Sequence, residues 1–215
     1  MAGAATERYR IIGPGKVLDQ QDNQVINYVS VQDGFVYDTV NFTTVTAGTS
    51  QTLFTNNLNN KNRVDTNIKQ AGTLPFGYSM ECHKILVQIL STVGSVEQPP
   101  LDIKQLIDAL KLEVQVDDFF VVNNPINQFP AGLGVFGQTN GNAQGVITNG
   151  MPATELIAPM LAPIYIDKLQ TLAGQFIVEA RTWITNYSAL TLVGAQGSLV
   201  RCLLYGKLVK AAFNK

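Results

Sequence analysis

The chain has 215 residues, 46% of them hydrophobic and 14% charged, with a formal net charge of −1. That length and apolar share suffice for one large core, while the near-neutral balance excludes a dedicated nucleic-acid binder, which needs clustered Lys and Arg against phosphates. Charged residues stand at about half their usual share, and Asn, Gln, Thr and Ser carry the surface instead, groups that cost less to desolvate than ions and suit faces covered by neighbours.

Residues 1–24 are polar around Gly13-Pro14-Gly15 and read as an N-terminal arm outside the core. The first sixteen residues lack the apolar stretch of a signal peptide, and no run approaches the roughly 18 apolar residues of a spanning helix. Folding in a cytoplasm is the expectation. Asn41-Phe42-Thr43 and Asn186-Tyr187-Ser188 are then chance matches to a glycosylation pattern. Basic residues lean to the two ends, with Arg8, Arg10 and Lys16 at the start and Lys207, Lys210 and Lys215 at the finish. That is at most a weak handle for a genome or an acidic lipid surface.

From residue 25 on, a single domain is expected to run to 215. Residues 25–31 (VINYVSV) predict a strand, Asp33-Gly34 a turn, and 35–46 (FVYDTVNFTTVT) a second strand, all rich in Val, Phe, Tyr and Thr. A turn at 47–50 precedes a short strand at 51–55, and a polar loop precedes a further strand at 63–71. Gly72, Pro75 and Gly77 lead into a long strand at 78–93, where Ile85, Val87 and Ile89 alternate. One short helix follows: Asp102 caps, Gln105 completes a capping box, and Ile103, Leu106, Ile107 and Leu110 share a face. A single strand is expected at 112–122.

Residues 123–150 change character to Gly, Asn, Gln and Pro, which predicts a long loop with a small hairpin at Asn140-Gly141. Strands resume at 161–169, 174–185, 188–194 and 198–213, the last with Gly206 as a kink or bulge. About eight strands without βαβ alternation predict an all-β, antiparallel β-sandwich.

Reactive groups are sparse. His83 is the one histidine and cannot by itself build a multi-histidine metal site. Asp117 and Asp118 are adjacent, so on a strand they point to opposite faces and mark an exposed end or a kink. The Asp33/Asp38 and Asp19/Asp22 spacings lack the ligand density of a calcium loop. Gly132, Gly134, Gly137, Gly141, Gly145 and Gly150 are not followed by the Lys-Ser/Thr of a phosphate loop. Cys82 and Cys202 sit in apolar runs without metal spacing and read as reduced, buried residues, although neighbouring strands would permit pairing. Trp183, Phe119, Phe120, Tyr187 and Tyr205 could stack sugars or bases if exposed, and otherwise fill the core. No catalytic, cofactor-binding or metal-binding residue is assigned.

The turn at Asp33-Gly34, Ala47-Gly48-Thr49 with QTLF, TLPFGYS before a long strand, the late runs at 162–166, 174–185 and 188–197, and the closing strand through Arg201 and Tyr205-Gly206-Lys207-Leu208 form a pattern. It resembles the jelly-roll major capsid proteins of small tailless icosahedral bacterial viruses, over roughly residues 33–210. The resemblance implies a single jelly roll of about eight strands. It also implies self-assembly into an icosahedral shell through homotrimers or pseudo-hexameric capsomers, contacts with other capsid or spike proteins, and residence in the virion, often above an internal membrane. It implies no catalytic residue and no cofactor. With Arg8 and Arg10, the arm would face the shell interior. A carbohydrate-binding or adhesion module on a virion spike, with the same sandwich, is the alternative, and an enzyme is a third reading.

Overall fold

The computed structural model describes residues 9–13, 16–20, 22–55, 61–74, 78–91, 100–130, 136–138, 146–148, 160, 162–179, 190–191 and 197–211. In chain order the strands are β1 (Tyr9–Gly13), β2 (Lys16–Asp19), β3 (Gln24–Phe42), β4 (Thr44–Val45), β5 (Ser50–Leu53) and β6 (Tyr78–Ser91). Helix α1 (Pro100–Ala109) leads into β7 (Leu110–Val116) and β8 (Phe119–Pro125), with a 3-10 turn at Ile126–Gln128. Then come β9 (Phe136–Gln138), β10 (Val146–Thr148), β11 (Ile164–Ile166), β12 (Leu172–Val178), β13 (Leu190–Thr191) and β14 (Ser198–Ala211). Among the described residues no helix is long and apolar enough to cross a membrane.

The fold is an all-β antiparallel sandwich. One sheet runs β1-β2-β3-β14-β6-β11 and the other β5-β12-β7-β8. Leaving aside β1 and β2, eight strands make up these layers. The first pairs with the eighth (β3 with β14), the second with the seventh (β5 with β12), the third with the sixth (β6 with β11) and the fourth with the fifth (β7 with β8). β14 also joins β6, and β12 joins β7, closing each layer.

Alternation drives the layers together. On β14, Val200, Cys202, Leu204 and Leu208 are buried while Arg201, Leu203, Tyr205 and Lys207 are only partly covered. On β12, Leu172, Phe176 and Val178 point inward. These side chains meet Val36, Val40, Phe42, Ile85, Val87, Leu112 and Val114 in one cluster. Phe42 and Phe176 pack edge-on at 6.4 Å between ring centres, each fully buried ring contributing about 2–3 kcal/mol through area removed from water. Helix α1 closes the cluster with Ile103, Leu106 and Ala109, and Ile107 packs against it, as the i, i+3, i+4 spacing requires.

Several expected elements differ. No turn occurs at Asp33-Gly34: β3 continues through both, because β14 pairs with it throughout, setting Lys207 opposite Asp33 and Gly206 opposite Gly34. Residues 63–71 are turns with one isolated bridge from Thr66 to Asp38. Asn62 wins this segment from the strand: its Oδ1 accepts the Val64 and Asp65 N–H groups and its carbonyl accepts those of Asp65 and Thr66. The expected strand 112–122 is a hairpin, β7 and β8, turning at Asp117, whose φ of 53° an Asp tolerates better than most residues.

Within the expected arm at 1–24, the described residues are largely paired. β1 and β2 form a hairpin that extends β3, and Tyr9 and Val17 are buried against Val209 in a second small cluster with Tyr28 and Val31. The polar composition concealed it because only alternate residues are buried. Of the loop 123–150, residues up to Pro125 continue β8, and β9 pairs with β10, so the small hairpin is present; its Asn140-Gly141 tip lies outside the described residues. The expected strand at 161–169 is reduced to β11, and the strands at 174–185 and 188–194 are described only as β12 and β13. Helix α1 begins at Pro100, ahead of the expected cap at Asp102.

Candidate functional site

His83 occupies a bulge in β6. Tyr205 pairs with Lys84 and Gly206 with Cys82, so His83 has no partner position on β14. The extra residue resets the alternation, which lets both Cys82 and Ile85 enter the core. The His83 Nε2 lies 3.6 Å from Oε1 of the buried Glu81. Among the described residues no group of three or more His, Cys, Asp and Glu gathers closely enough to hold a metal ion.

Cys82 and Cys202 are both free and buried. Burial in apolar surroundings pushes the Cys82 thiol up to about 12, against weaker hydrogen bonding to the Lys84 and Tyr205 backbone, and pushes Cys202 up as well. Neither is a nucleophile at neutral pH.

Asp117 clasps two loop tips together. Its Oδ1 accepts the Thr171 N–H and hydroxyl, its Oδ2 accepts the Gln170 amide, and its own N–H donates to the Thr171 carbonyl. The Thr171 backbone donor, chiefly, holds its carboxyl below the usual range, with Gln170 and the Thr171 hydroxyl adding to this against slight desolvation. On the outer face of the second sheet, Thr52, Thr55, Glu113, Gln115 and Gln175 line a hollow of about 180 Å³. Its polar groups satisfy one another: Gln175 donates to Glu113 at 2.8 Å and Lys111 pairs with Glu113 at 3.0 Å. Burial would raise Glu113, but these two partners more than offset it and hold the carboxyl low.

The sheet edges differ sharply. A strand edge with bare N–H and C=O groups invites another strand. Along β3, groups of Phe35, Tyr37 and Thr39 not used by β14 are covered by residues 61–67. Asn67 acts as a side-chain strand: Tyr37 N–H donates to its Oδ1 at 2.9 Å and its Nδ2 donates to the Phe35 carbonyl at 2.6 Å. The Asn67 N–H and the Thr66 hydroxyl both donate to the Tyr37 carbonyl, and Lys61 Nζ donates to that of Thr39.

Among the described residues, β8 carries no such cover. It ends the order of its sheet, and Phe119, Phe120 and Val121 are 77%, 57% and 37% exposed. A bulge between the pairs Gln115–Phe120 and Val114–Val122 leaves Val121 without a partner position on β7. Phe119 lies across from the inward-facing Val116 and Phe120 across from Gln115, so apolar groups stand on both faces of this edge. Asn123, Asn124 and Pro125 complete an edge without charge. Leu169, 86% exposed, lies in the tip that Asp117 clasps. Exposed apolar patches are a common feature of interaction surfaces.

Of the aromatics singled out in the sequence, Phe119 and Phe120 belong to this edge, while Tyr205 is half-buried against Phe35 at 4.9 Å. Trp183 and Tyr187 lie outside the described residues, as do Arg8 and the glycines of 132–150 other than Gly137; Arg10 is exposed on β1. The covering segment 61–67 escaped sequence reading, its available signal being Asn62 three residues ahead of Asp65. No family model matches the chain, and no curated protein or solved structure is significantly similar to it.

Proposed function

We propose that the chain is a structural subunit that assembles with copies of itself into a closed shell, and that this shell is the capsid of a tailless icosahedral bacterial virus. The observation that carries the reading is the bare, uncharged β8 edge, with Phe119, Phe120 and Val121 in solvent. Repeated on every copy, such an edge suits shells held by many weak, symmetry-repeated contacts. The pairing order of the eight strands supports the reading, since it is that of a ribbon rolled into a jelly roll. The amide-rich, charge-poor composition fits faces that neighbours cover. Homotrimers or pseudo-hexameric capsomers are the expected building blocks, with other capsid or spike proteins at their margins. Arg10, on the N-terminal hairpin, would then lie toward the genome or an internal membrane.

The test is the size of the purified protein by chromatography with light scattering, together with negative-stain microscopy. Trimers, hexamers or closed particles that dissociate on Phe120→Lys support the proposal. A protein that stays monomeric at millimolar concentration overturns it. A carbohydrate-binding module is favoured by one specific observation, the exposure of Phe119 and Phe120 beside Asn123 and Asn124. Binding on a glycan array that Phe119→Ala abolishes, in a protein that remains monomeric, would establish it.

A further inference from the structure

The cover on β3 is built unlike the rest of the sheet. A neighbouring strand would hold that edge with a backbone ladder. Residues 61–67 hold it largely with side chains, through the Asn67 amide, the Thr66 hydroxyl and the Lys61 ammonium. Three further contacts come from outside the segment: Thr39 Oγ1 donates to the Asp65 carbonyl at 2.7 Å, Arg201 Nη2 to that of Val64 at 2.6 Å and the Tyr37 hydroxyl to that of Arg63 at 2.6 Å. Arg201 is itself placed by Thr39 Oγ1, which accepts its Nε–H at 3.0 Å, and by the Tyr37 ring, 5.2 Å from its guanidinium carbon. Val64, carried on this strap, is 70% exposed, so the strap has little apolar packing at its middle.

At one end the strap has a strong anchor. Asp38 is fully buried, with its Oδ2 accepting the Phe54 N–H at 2.7 Å, and Lys61 reaches in to pair with its Oδ1 at 2.9 Å. Unseating Lys61 leaves a carboxylate uncompensated in the core, which is costly. The Asn67 end has no buried charge to hold it. At that end the next residue, Ile68, is fully buried in the core, so the strap is fixed at Lys61 and at Ile68 and is held between them by hydrogen bonds of modest net strength.

We infer that residues 62–67, held between Lys61 and Ile68, are a releasable guard that keeps β3 from adding a strand of a second copy of this chain. When the guard lifts, the Phe35 carbonyl and both Tyr37 groups face solvent at once, which is the template that strand addition needs. A second copy is the occupant because every copy presents an uncharged strand edge, β8, that no strand among the described residues pairs on its outer side. The guard holds whether or not the chain builds a shell, since it concerns only what β3 pairs with.

The test compares the full chain with Asn67→Ala/Arg201→Gln, which leaves the Asp38–Lys61 anchor in place. The expected result has two parts. In dilute solution the Tyr37 amide exchanges its hydrogen about tenfold faster than in the parent, the loss of one net hydrogen bond. At higher concentration the variant forms larger, dilution-reversible species in which the Tyr37 amide is protected again, because a strand of a second copy has replaced Asn67. The inference is overturned if Tyr37 exchange is unchanged, or if it is fast at every concentration and no larger species form. Should the double variant lose its cooperative melt, Asn67→Ala alone carries the same two readouts. Dissociation of parent assemblies by Phe120→Lys, the test of the shell, is scored separately from Tyr37 protection.

Discussion

Gly206 lies directly across from Cys82, so close that a methyl group on it would collide with the Glu81 carbonyl oxygen and crowd the Cys82 Cα at 2.8 Å. The close approach is made where His83 is extruded from the ladder. The bulge and the glycine are two parts of one feature: the strand that carries the extra residue bends in, and the strand opposite gives up its side chain.

Gly206→Ala is therefore expected to destabilise the protein by about 2–3 kcal/mol, since the obstacle is backbone and cannot rotate away. Its sign is diagnostic, because Gly to Ala within an ordinary strand gains roughly 0.5–1 kcal/mol. Urea melts of the two proteins decide it.

Lys61→Met should cost about 2–3 kcal/mol, somewhat below the usual figure for stranding a buried charge because Lys61 is 15% exposed. Asp38→Asn in the same background should recover part of the loss, since the amide still accepts the Phe54 N–H without needing a counter-charge. Thermal melts of the two single variants and the double variant give the coupling.

The Asp117 clasp makes stability depend on acid. Its folded carboxyl lies below the ordinary value of 3.8, so its contribution is present above about pH 4 and is lost as pH falls through the folded value. Asp117→Asn should flatten that part of the curve, and the gap in melting temperature between parent and variant should narrow from pH 5 to pH 2.

Both thiols should resist a water-soluble disulfide reagent at pH 8 while the protein is folded, because burial raises Cys82 to about 12 and Cys202 likewise upward. Two equivalents should react on adding denaturant. Reaction of either in the folded state would contradict the burial described.

Phe119→Ser/Phe120→Lys should leave the stability within about 0.5 kcal/mol of the parent, since both rings are more than half exposed, while lowering any self-association measured by sedimentation. A large loss of stability would mean that the edge is part of the core.

Much of the fold was legible because it rests on alternation. The runs at 78–93 and 198–213 each gave one long strand, and Ile103, Leu106 and Ile107 gave the helix. What misled was local chemistry overridden by long-range pairing, or the reverse. Asp33-Gly34 has turn residues, yet β14 pairs straight across it; 112–122 has strand residues, yet Asp117 turns the chain within it. The β8 edge was partly visible as Phe119 and Phe120, but whether an aromatic in a strand faces core or water depends on which strand ends the sheet. The strap was invisible, since Asn67 works by imitating backbone and nothing in the residue itself announces that use.

β14 lies between β3 and β6 and pairs with both along nearly its whole length. Its residues, Ser198–Ala211, are separated from those of β3 by most of the chain. Until they arrive, the larger layer is two pieces, so its completion waits on synthesis of β14. Loops this long close slowly, and the protein should accordingly refold in milliseconds to seconds, with both layers appearing together.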